Sequence, residues 1–472
     1  MTPPAVRVET DLLGPVETPV DAYWGAHTQR ATQNFDLIGY PAPWPLIQAM
    51  AQVKKACAQT NAELGFLDTS RAKAIVAACD GILSGALGPE HFPVDALQGG
   101  AGTSTHMNVN ETIANRALEG LGFPKGHYAE LHPIEHVNLH QSTNDVYPTA
   151  LKIAAIDACR RLSEALARLQ GAFQDREIAF QDILKMGRTE LQDAVPMTLG
   201  QEFSAFAEAI SRDRWRAFKC EERLRIVNIG GTAIGTGLTA PRAYIFRVIE
   251  ILRTLTGQGL SRGENLIDAT ANVDCFVEVS GILKACAANL VKIADDLRRL
   301  QLLGEIHLPA LQAGSSIMPG KVNPVLLEAA IQAGLKTMAN DGLIAAAAAR
   351  GSLQINEFLP LIAHALLESF RLLEKLAEAL TPFIGAIEAN AARCAQYAMD
   401  SSTLATALLP SVGYDRATAL VKAYQALENP PSFGNYLRQQ LGDALVNEAL
   451  SPQRLLCLGD ARPPACIEEN RA

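Results

Sequence analysis

Aromatic residues are scarce in this chain: 15 Phe, 9 Tyr and 3 Trp among 472 residues, against a hydrophobic content of 48%. A core that size, rich in Ala and Leu and poor in rings, favours helix over strand. No Cys-x-x-Cys pair occurs. The nine cysteines, Cys57, Cys79, Cys159, Cys220, Cys275, Cys286, Cys394, Cys457 and Cys466, are scattered and odd in number, and read as reduced core thiols of a cytoplasmic protein. No uninterrupted apolar run reaches membrane-spanning length. The opening MTPPAVRVETDLLG lacks the basic lead and apolar stretch of a signal peptide. No basic stripe stands out and the net charge is −9, which argues against nucleic acid as a partner. Small anionic substrates stay open, because local cations dominate inside a cleft. Sequence repeats and low-complexity tracts are absent as well.

What is present is helical periodicity. Residues 1–44 are rich in Pro and Gly and read as loop, with a strand-like piece at Ala5 to Glu9. Apolar residues recur at helical spacing over 45–64 and 70–87, each stretch closed by Gly, and again over 110–121. Much longer helical patterns cover 148–184, 198–227, 271–302, 325–349 and 358–392. Patterns beyond about 25 residues point to a bundle. Their apolar stripes are too broad for one bundle to bury, which predicts a bundle shared between subunits. From about 396 onward shorter helices are broken by Pro410, Gly413, Pro430 and Pro431, and the tail ARPPACIEENRA reads as poorly ordered. The resulting expectation is a mainly all-α chain of three domains, 1–140, 141–395 and 396–472, with long central helices.

The segment Gly314-Ser315-Ser316-Ile317-Met318-Pro319-Gly320-Lys321-Val322-Asn323-Pro324 breaks this helical run. Two Gly and two Pro forbid a regular helix through it. It is either a polar connection or a flexible segment suited to anion binding and proton transfer. A phosphate-binding P-loop is ruled out by spacing, since Ser315 stands where that motif needs Gly and Val322 where it needs Ser or Thr. Three further polar clusters interrupt the helices: GGAGTSTHMN (99–108), HQSTND (140–145) and GRTELQDAVP (187–196). Each lies at or near an expected helix end, where free backbone N–H groups favour anions. One such cluster alone reads as an N-cap; four are less easily explained that way.

With DLLGPVETPVDAYWGAHTQRATQNF, GGAGTST, QSTNDVYPTAL, GRTELQDAVPMTLGQEF and GSSIMPGKVNP in that order, the chain resembles the aspartase/fumarase superfamily over about its first 400 residues. HVNLHQSTNDVYPTALKIA and GRTELQDAVPMTLGQEF are more similar to the aspartate ammonia-lyase branch than to fumarate hydratases. The resemblance implies an aspartase/fumarase-like fold with a long central helical bundle, and a homotetramer whose active sites each draw on three subunits. It implies a lyase that eliminates ammonia from a succinyl compound to give fumarate. Ser315 would be the catalytic base. Ser316, Lys321, Asn323, Thr103, Ser142, Thr143, Asn144 and Thr189 would bind the substrate carboxylates. The chemistry itself wants such a set. Removing a proton beside a carboxylate creates an aci-carboxylate dianion, and each well-aimed donor is worth roughly 3–4 kcal/mol. No cofactor and no metal are expected, the ligand being a small dicarboxylate or amino acid.

Several positions depart from the family pattern. Glu190 stands where hydratases carry His, and Glu328 matches the acidic partner of that His; Glu190 either attends the leaving amine or points to solvent. His106 replaces the usual Asn, and His140 replaces a small residue; each is a packed or capping histidine, or together they reshape the pocket. DLRRLQLLGEIHLP lacks an SSGPR-like stretch. His132-Pro-Ile-Glu-His136 has the order of an inverted zinc-protease motif, but Pro133 keeps His132 out of helical conformation, so the two rings would not share a face. Arg30, with Asp11 and Asn34 in the matching N-terminal segment, either attracts dicarboxylate or forms a structural salt bridge. The alternatives are a fumarate hydratase-like lyase, disfavoured by Glu190, and a non-catalytic paralogue that keeps the tetramer.

Overall fold

A computed structural model describes residues 5–459. Cys466 and the tail 461–472 lie outside the described residues. The chain opens with an antiparallel hairpin, β1 (Val6–Asp11) and β2 (Gly14–Pro19). Four helices follow: α1 (Ala26–Asn34), α2 (Trp44–Glu63), α3 (Thr69–Ser84) and α4 (Thr103–Gly120). Next come the long α5 (Thr143–Ala179), a second hairpin of β3 (Leu184–Thr189) and β4 (Gln192–Thr198), and α6 (Leu199–Leu224). A short parallel pair, β5 (Ile226–Val227) and β6 (Ser261–Arg262), flanks α7 (Arg242–Thr256). Then follow α8 (Leu266–Ala271), α9 (Asp274–Leu303), β7 (Ile306–His307), α10 (Val325–Ala348) and α11 (Leu359–Gly385). β8 (Glu388–Ala389) pairs with β7, and α12 (Ala391–Asp400) leads into short helices ending at Leu456. The mainly helical class read from periodicity is what the chain adopts.

The long α5 starts five residues before the Pro148 at which the sequence pattern begins. Pro148 removes the hydrogen bond that would reach the Asn144 carbonyl four residues back. That carbonyl instead accepts from Asn228 Nδ2 at 2.9 Å, so the proline sits in the first turns without cost to the acceptor. At its other end α5 stops at Ala179, short of the expected Leu184, and the polar cluster 187–196 is a hairpin. Similarly, α4 begins at Thr103 inside the Gly/Ser/Thr cluster, where a left-handed Gly102 ends the approach.

Two compact units divide the chain. The first comprises Met1–Glu164, Asp213–Ala288 and Gln332–Lys375; the second comprises Ala165–Arg212, Asn289–Ile331 and Leu376–Ala472. In the first unit Ile153, Leu162, Phe276, Leu366 and Phe370 are buried. Polar ties cross between its helices: Asp341 on α10 accepts from Ser280 Oγ (2.6 Å) and Lys284 Nζ (2.5 Å) of α9, and Asn340 donates to Ser369 Oγ of α11 (3.0 Å). The opposite face of α10 is exposed and carries Leu335, Ala339, Leu343 and Ala346 at helical spacing. In the second unit Met186 of β3 joins a core of Leu404, Leu408, Phe433, Leu437 and Val446. No helix among the described residues is long and apolar enough to cross a membrane.

The approach to α4 has little tolerance. Gly102 has φ +92°, and a Cβ there would stand 2.2 Å from Cδ2 of Tyr147, a buried residue of α5. Left-handed strain and overpacking together predict that Gly102→Ala lowers stability by about 2–4 kcal/mol. Thermal unfolding followed by circular dichroism measures the loss.

Candidate active site

The first unit holds Thr103, Ser142, Thr143 and Asn144, at the N-termini of α4 and α5. Ser142 caps α5: its Oγ accepts from Asn144 N at 3.2 Å, and its own N–H donates to Asp145 Oδ1 at 2.9 Å. This is a capping box with Asp in the third position. Asp145 Oδ2 also accepts from Gly230 N (3.1 Å) and Thr232 N (2.9 Å), so one buried carboxylate docks the 230–232 turn against the helix end. Burial pushes Asp145 up to about 7, and the three backbone donors pull the other way. Asn144 Nδ2 donates to Ala233 O at 2.7 Å, which ties the same turn to the cluster. Thr103 Oγ1 donates to Gly100 O at 2.7 Å and lines a cavity of about 920 Å³ together with His27, Arg30, Phe35 and Met107.

Beneath this cluster lies a buried polar chain. His106 on α4 is 1% exposed, with Nδ1 2.8 Å from Thr143 Oγ1 and Nε2 2.6 Å from Lys54 Nζ on α2. Lys54 is fully buried and also reaches Asn138 Oδ1 and Gln141 Oε1, both at 2.8 Å. Burial pushes Lys54 down to about 7, with Cys57 and Asp145 opposing. Burial, then the adjacent Lys54, push His106 well below the usual imidazole value, so it is neutral.

The second unit holds Thr189, Glu190 and the 314–324 loop. Thr189 pairs with Gln192, leaving Glu190 and Leu191 as a two-residue turn with φ +53° and +63°. Both positions are left-handed, a geometry usually given to Asn-Gly. Two side chains kept there store about 1–3 kcal/mol of strain each. The hairpin is fastened from below. Glu305 is fully buried and pairs with Arg188 (2.8 Å) and Lys185 (3.2 Å), and Lys185 also bonds Glu202. Glu190 itself is exposed and lines a cavity of about 660 Å³ with Lys185, Arg188, Lys292 and Arg299. Glu328, in the first turn of α10, is not among the residues lining that cavity.

The loop is pinned at its neck and open at its tip. Gly314 N donates to Lys321 O at 2.7 Å, and Asn323 Nδ2 donates to Gly314 O at 2.9 Å. A Cβ on Gly314 would lie 2.9 Å from both Lys321 O and Asn323 N, so only glycine allows this closure. Between these ties Ser316 to Val322 are exposed. Ser315 is half-buried, and its Oγ accepts backbone N–H groups from Ile317 (3.1 Å) and Met318 (2.9 Å). Two amide dipoles aimed at one hydroxyl oxygen favour negative charge on it.

Other residues singled out from the sequence find structural partners. Arg30 forms a two-point bridge to Asp11 (2.9 and 3.0 Å) and bonds Gly14 O at 2.8 Å, which is the salt-bridge reading. His140 is packed: Nδ1 lies 2.7 Å from Asn61 Oδ1, and the ring meets Phe66 and Tyr244. His106 is buried and bonded to a candidate site residue instead of capping a helix. His132 has φ −95° and ψ 137°, and its Nδ1 accepts from Ile134 N and Glu135 N, while His136 Nδ1 accepts from His132 N. Both rings are occupied with backbone. Among the described residues no group of three or more His, Cys, Asp or Glu is placed to hold a metal ion. The sequence reading missed Lys54, Asp145, Asn228 and Glu305. The Gly/Thr-rich run GGTAIGTG (230–237) was the one signal for the docked turn.

A sequence family described as Lyase matches residues 14–338. The chain is 45% identical to an aspartate ammonia-lyase of Pseudomonas canavaninivorans over 461 residues, covering 95% of this chain and 97% of that one. It is 44% identical, with the same coverage, to one from Pseudomonas aeruginosa. A solved fumarate lyase:delta crystallin from Brucella melitensis bound to cobalt superposes with a TM-score of 0.91 at 45% identity, over 96% of this chain and 100% of that one. A recombinant class II fumarase from Schistosoma mansoni gives 0.87 at 30% identity, over 95% and 98%. A match across most of the chain, in sequence and in fold, makes this protein a member of the aspartase/fumarase superfamily of lyases.

Proposed function

We infer that the chain is a carbon–nitrogen lyase that reversibly eliminates ammonia from L-aspartate, or a close succinyl relative, to give fumarate. The observation that carries the chemistry is the pair of N–H groups on Ser315 Oγ. A serine hydroxyl ionises far above neutrality, and donors already aimed at its oxygen lower the cost of its oxyanion. In this reading Ser315 first gives its hydroxyl proton to solvent, and the Oγ oxyanion takes the proton from the carbon beside a carboxylate. That C–H electron pair becomes the new C=C bond, and the C–N bond breaks with its pair leaving on nitrogen. Thr103, Ser142, Thr143, Asn144, Thr189, Ser316, Lys321 and Asn323 hold the carboxylates and the aci-carboxylate charge. Glu190 attends the substrate's ammonium group, whose positive charge suits an acidic residue better than a neutral hydroxyl would, until nitrogen departs as ammonia. The loop tip closes when substrate binds, its neck staying fixed.

The same reading assigns a small dicarboxylate as ligand, the cytoplasm as location and a homotetramer as assembly, with the domains 1–140, 141–395 and 396–472. What supports self-association is the exposed apolar stripe Leu335, Ala339, Leu343 and Ala346 on α10. A helix face of that kind buries itself against another copy.

Loss of fumarate absorbance on adding ammonia is the direct test; loss with water alone would favour a hydratase, and loss with another amine a specialised lyase. Ser315→Ala is expected to cut kcat by about 10²–10⁴-fold with an unchanged circular dichroism spectrum. Glu190→Gln is expected to lower kcat and blur selection among amines while KM for aspartate stays nearly constant; unchanged kcat and amine preference would discard its role. If subunits share sites, refolding Ser315→Ala together with Ser142→Ala recovers activity that neither variant has alone. No recovery in a mixed assembly confirmed by mass spectrometry would confine the site to one chain.

A further inference from the structure

Lys54, His106 and Thr143 form one hydrogen-bonded line ending at the N-terminus of α5. No carboxylate bonds to Lys54 among the described residues; its Nζ meets His106 Nε2 at 2.6 Å, and Asn138 Oδ1 and Gln141 Oε1 at 2.8 Å each. Both amides are held with oxygen towards the ammonium. Asn138 Nδ2 donates to Gln141 O (3.3 Å), and Gln141 Nε2 donates to Val137 O (3.1 Å) and Leu139 O (3.2 Å). An ammonium carries three hydrogens and no lone pair. Three acceptors therefore face three donors, and His106 Nε2 has to be the accepting nitrogen.

A neutral imidazole whose Nε2 accepts carries its proton on Nδ1. Nδ1–H then donates to Thr143 Oγ1, 2.8 Å away. Because that oxygen accepts from beneath, the hydroxyl's own proton is turned outward, to whatever approaches the helix end. With the opposite tautomer Thr143 would give its proton to His106 and present only lone pairs, which repel a carboxylate. The structure assigns Lys54 and His106 as positioning residues that fix the imidazole tautomer and so make Thr143 a donor to a substrate carboxylate. This rests on Thr143 being a substrate contact, as in the function proposed above. Of these three residues Thr143 alone touches substrate; Lys54 and His106 act through it. His106 is then neither a cap nor a filler.

The test uses the full chain at a pH on the acid side of neutrality. Long-range 1H–15N correlation on histidine-labelled protein reads the His106 tautomer. Nδ1–H is expected in the wild type, and Nε2–H in Lys54→Met. Titration with succinate, an unreactive dicarboxylate, gives binding. Thr143→Val and Lys54→Met are each expected to weaken it about tenfold, the size of one lost hydrogen bond to a charged group. The double variant should be no weaker than Thr143→Val alone. If Lys54→Met does not fold, His106→Leu and His106→Asn replace it. Leu loses the donor and about the same affinity, and Asn, with an amide N–H near the Nδ1 position, restores it. Additive losses, equal binding by His106→Leu and His106→Asn, or Nε2–H in a wild type that binds succinate would overturn the relay. A wild type that binds no succinate and consumes no fumarate would instead overturn the functional reading, and Thr143's role with it.

Discussion

The buried carboxylate of Asp145 is the constraint on which the candidate residues of the first unit depend. Its two oxygens accept three backbone N–H groups, from Ser142, Gly230 and Thr232. An unpaired buried acceptor or donor costs about 1–3 kcal/mol, so the helix start and the turn are held together by mutual need. Asn228 adds to the same joint by taking the carbonyl that Pro148 leaves without a partner. The result is a rigid platform on which Ser142, Thr143 and Asn144 stand in fixed order. Donors held in this way need not reorganise when negative charge develops near them.

The second unit reaches rigidity by charge. Glu305 has no exposed side-chain surface and lies between Arg188 and Lys185. Such a cluster contributes less to net stability than to geometry, since desolvation offsets much of the attraction. What it fixes is the base of the β3–β4 hairpin, and so the strained Glu190–Leu191 turn at its tip. The 314–324 loop follows the same plan with different means. Its neck is closed by Gly314, Lys321 and Asn323, and its tip is left exposed. Asn323, expected from the family pattern to bind substrate, also donates to Gly314 O, a structural duty that the pattern does not reveal.

Much of this was legible in the sequence, for identifiable reasons. Helices such as α2, α3, α6 and α10 fell within a few residues of their periodic patterns, because an apolar stripe repeats along a helix whatever it packs against. The hairpin at 187–196 was read only as a polar cluster. Its turn residues Glu190 and Leu191 are not turn-formers, and their left-handed backbone is imposed by the paired strands and the Glu305 cluster. The starts of α4 and α5 were placed late, since Gly, Ser, Thr and Pro148 read as breakers until tertiary partners satisfy the groups they leave open.

The sequence by itself determined the helical class, the family and the identity of the polar residues, because these follow from composition, periodicity and contiguous motifs. Tertiary structure alone decided which of them are bonded and to what. Lys54 and Asp145 lie about 90 residues apart, and nothing in their local sequence marks them as buried ions. Arg30 was settled as Asp11's partner, and His140 as a packed ring, by neighbours distant along the chain or across a turn. Hydrogen bonds of that kind depend on atoms meeting at about 3 Å, a condition no linear pattern encodes.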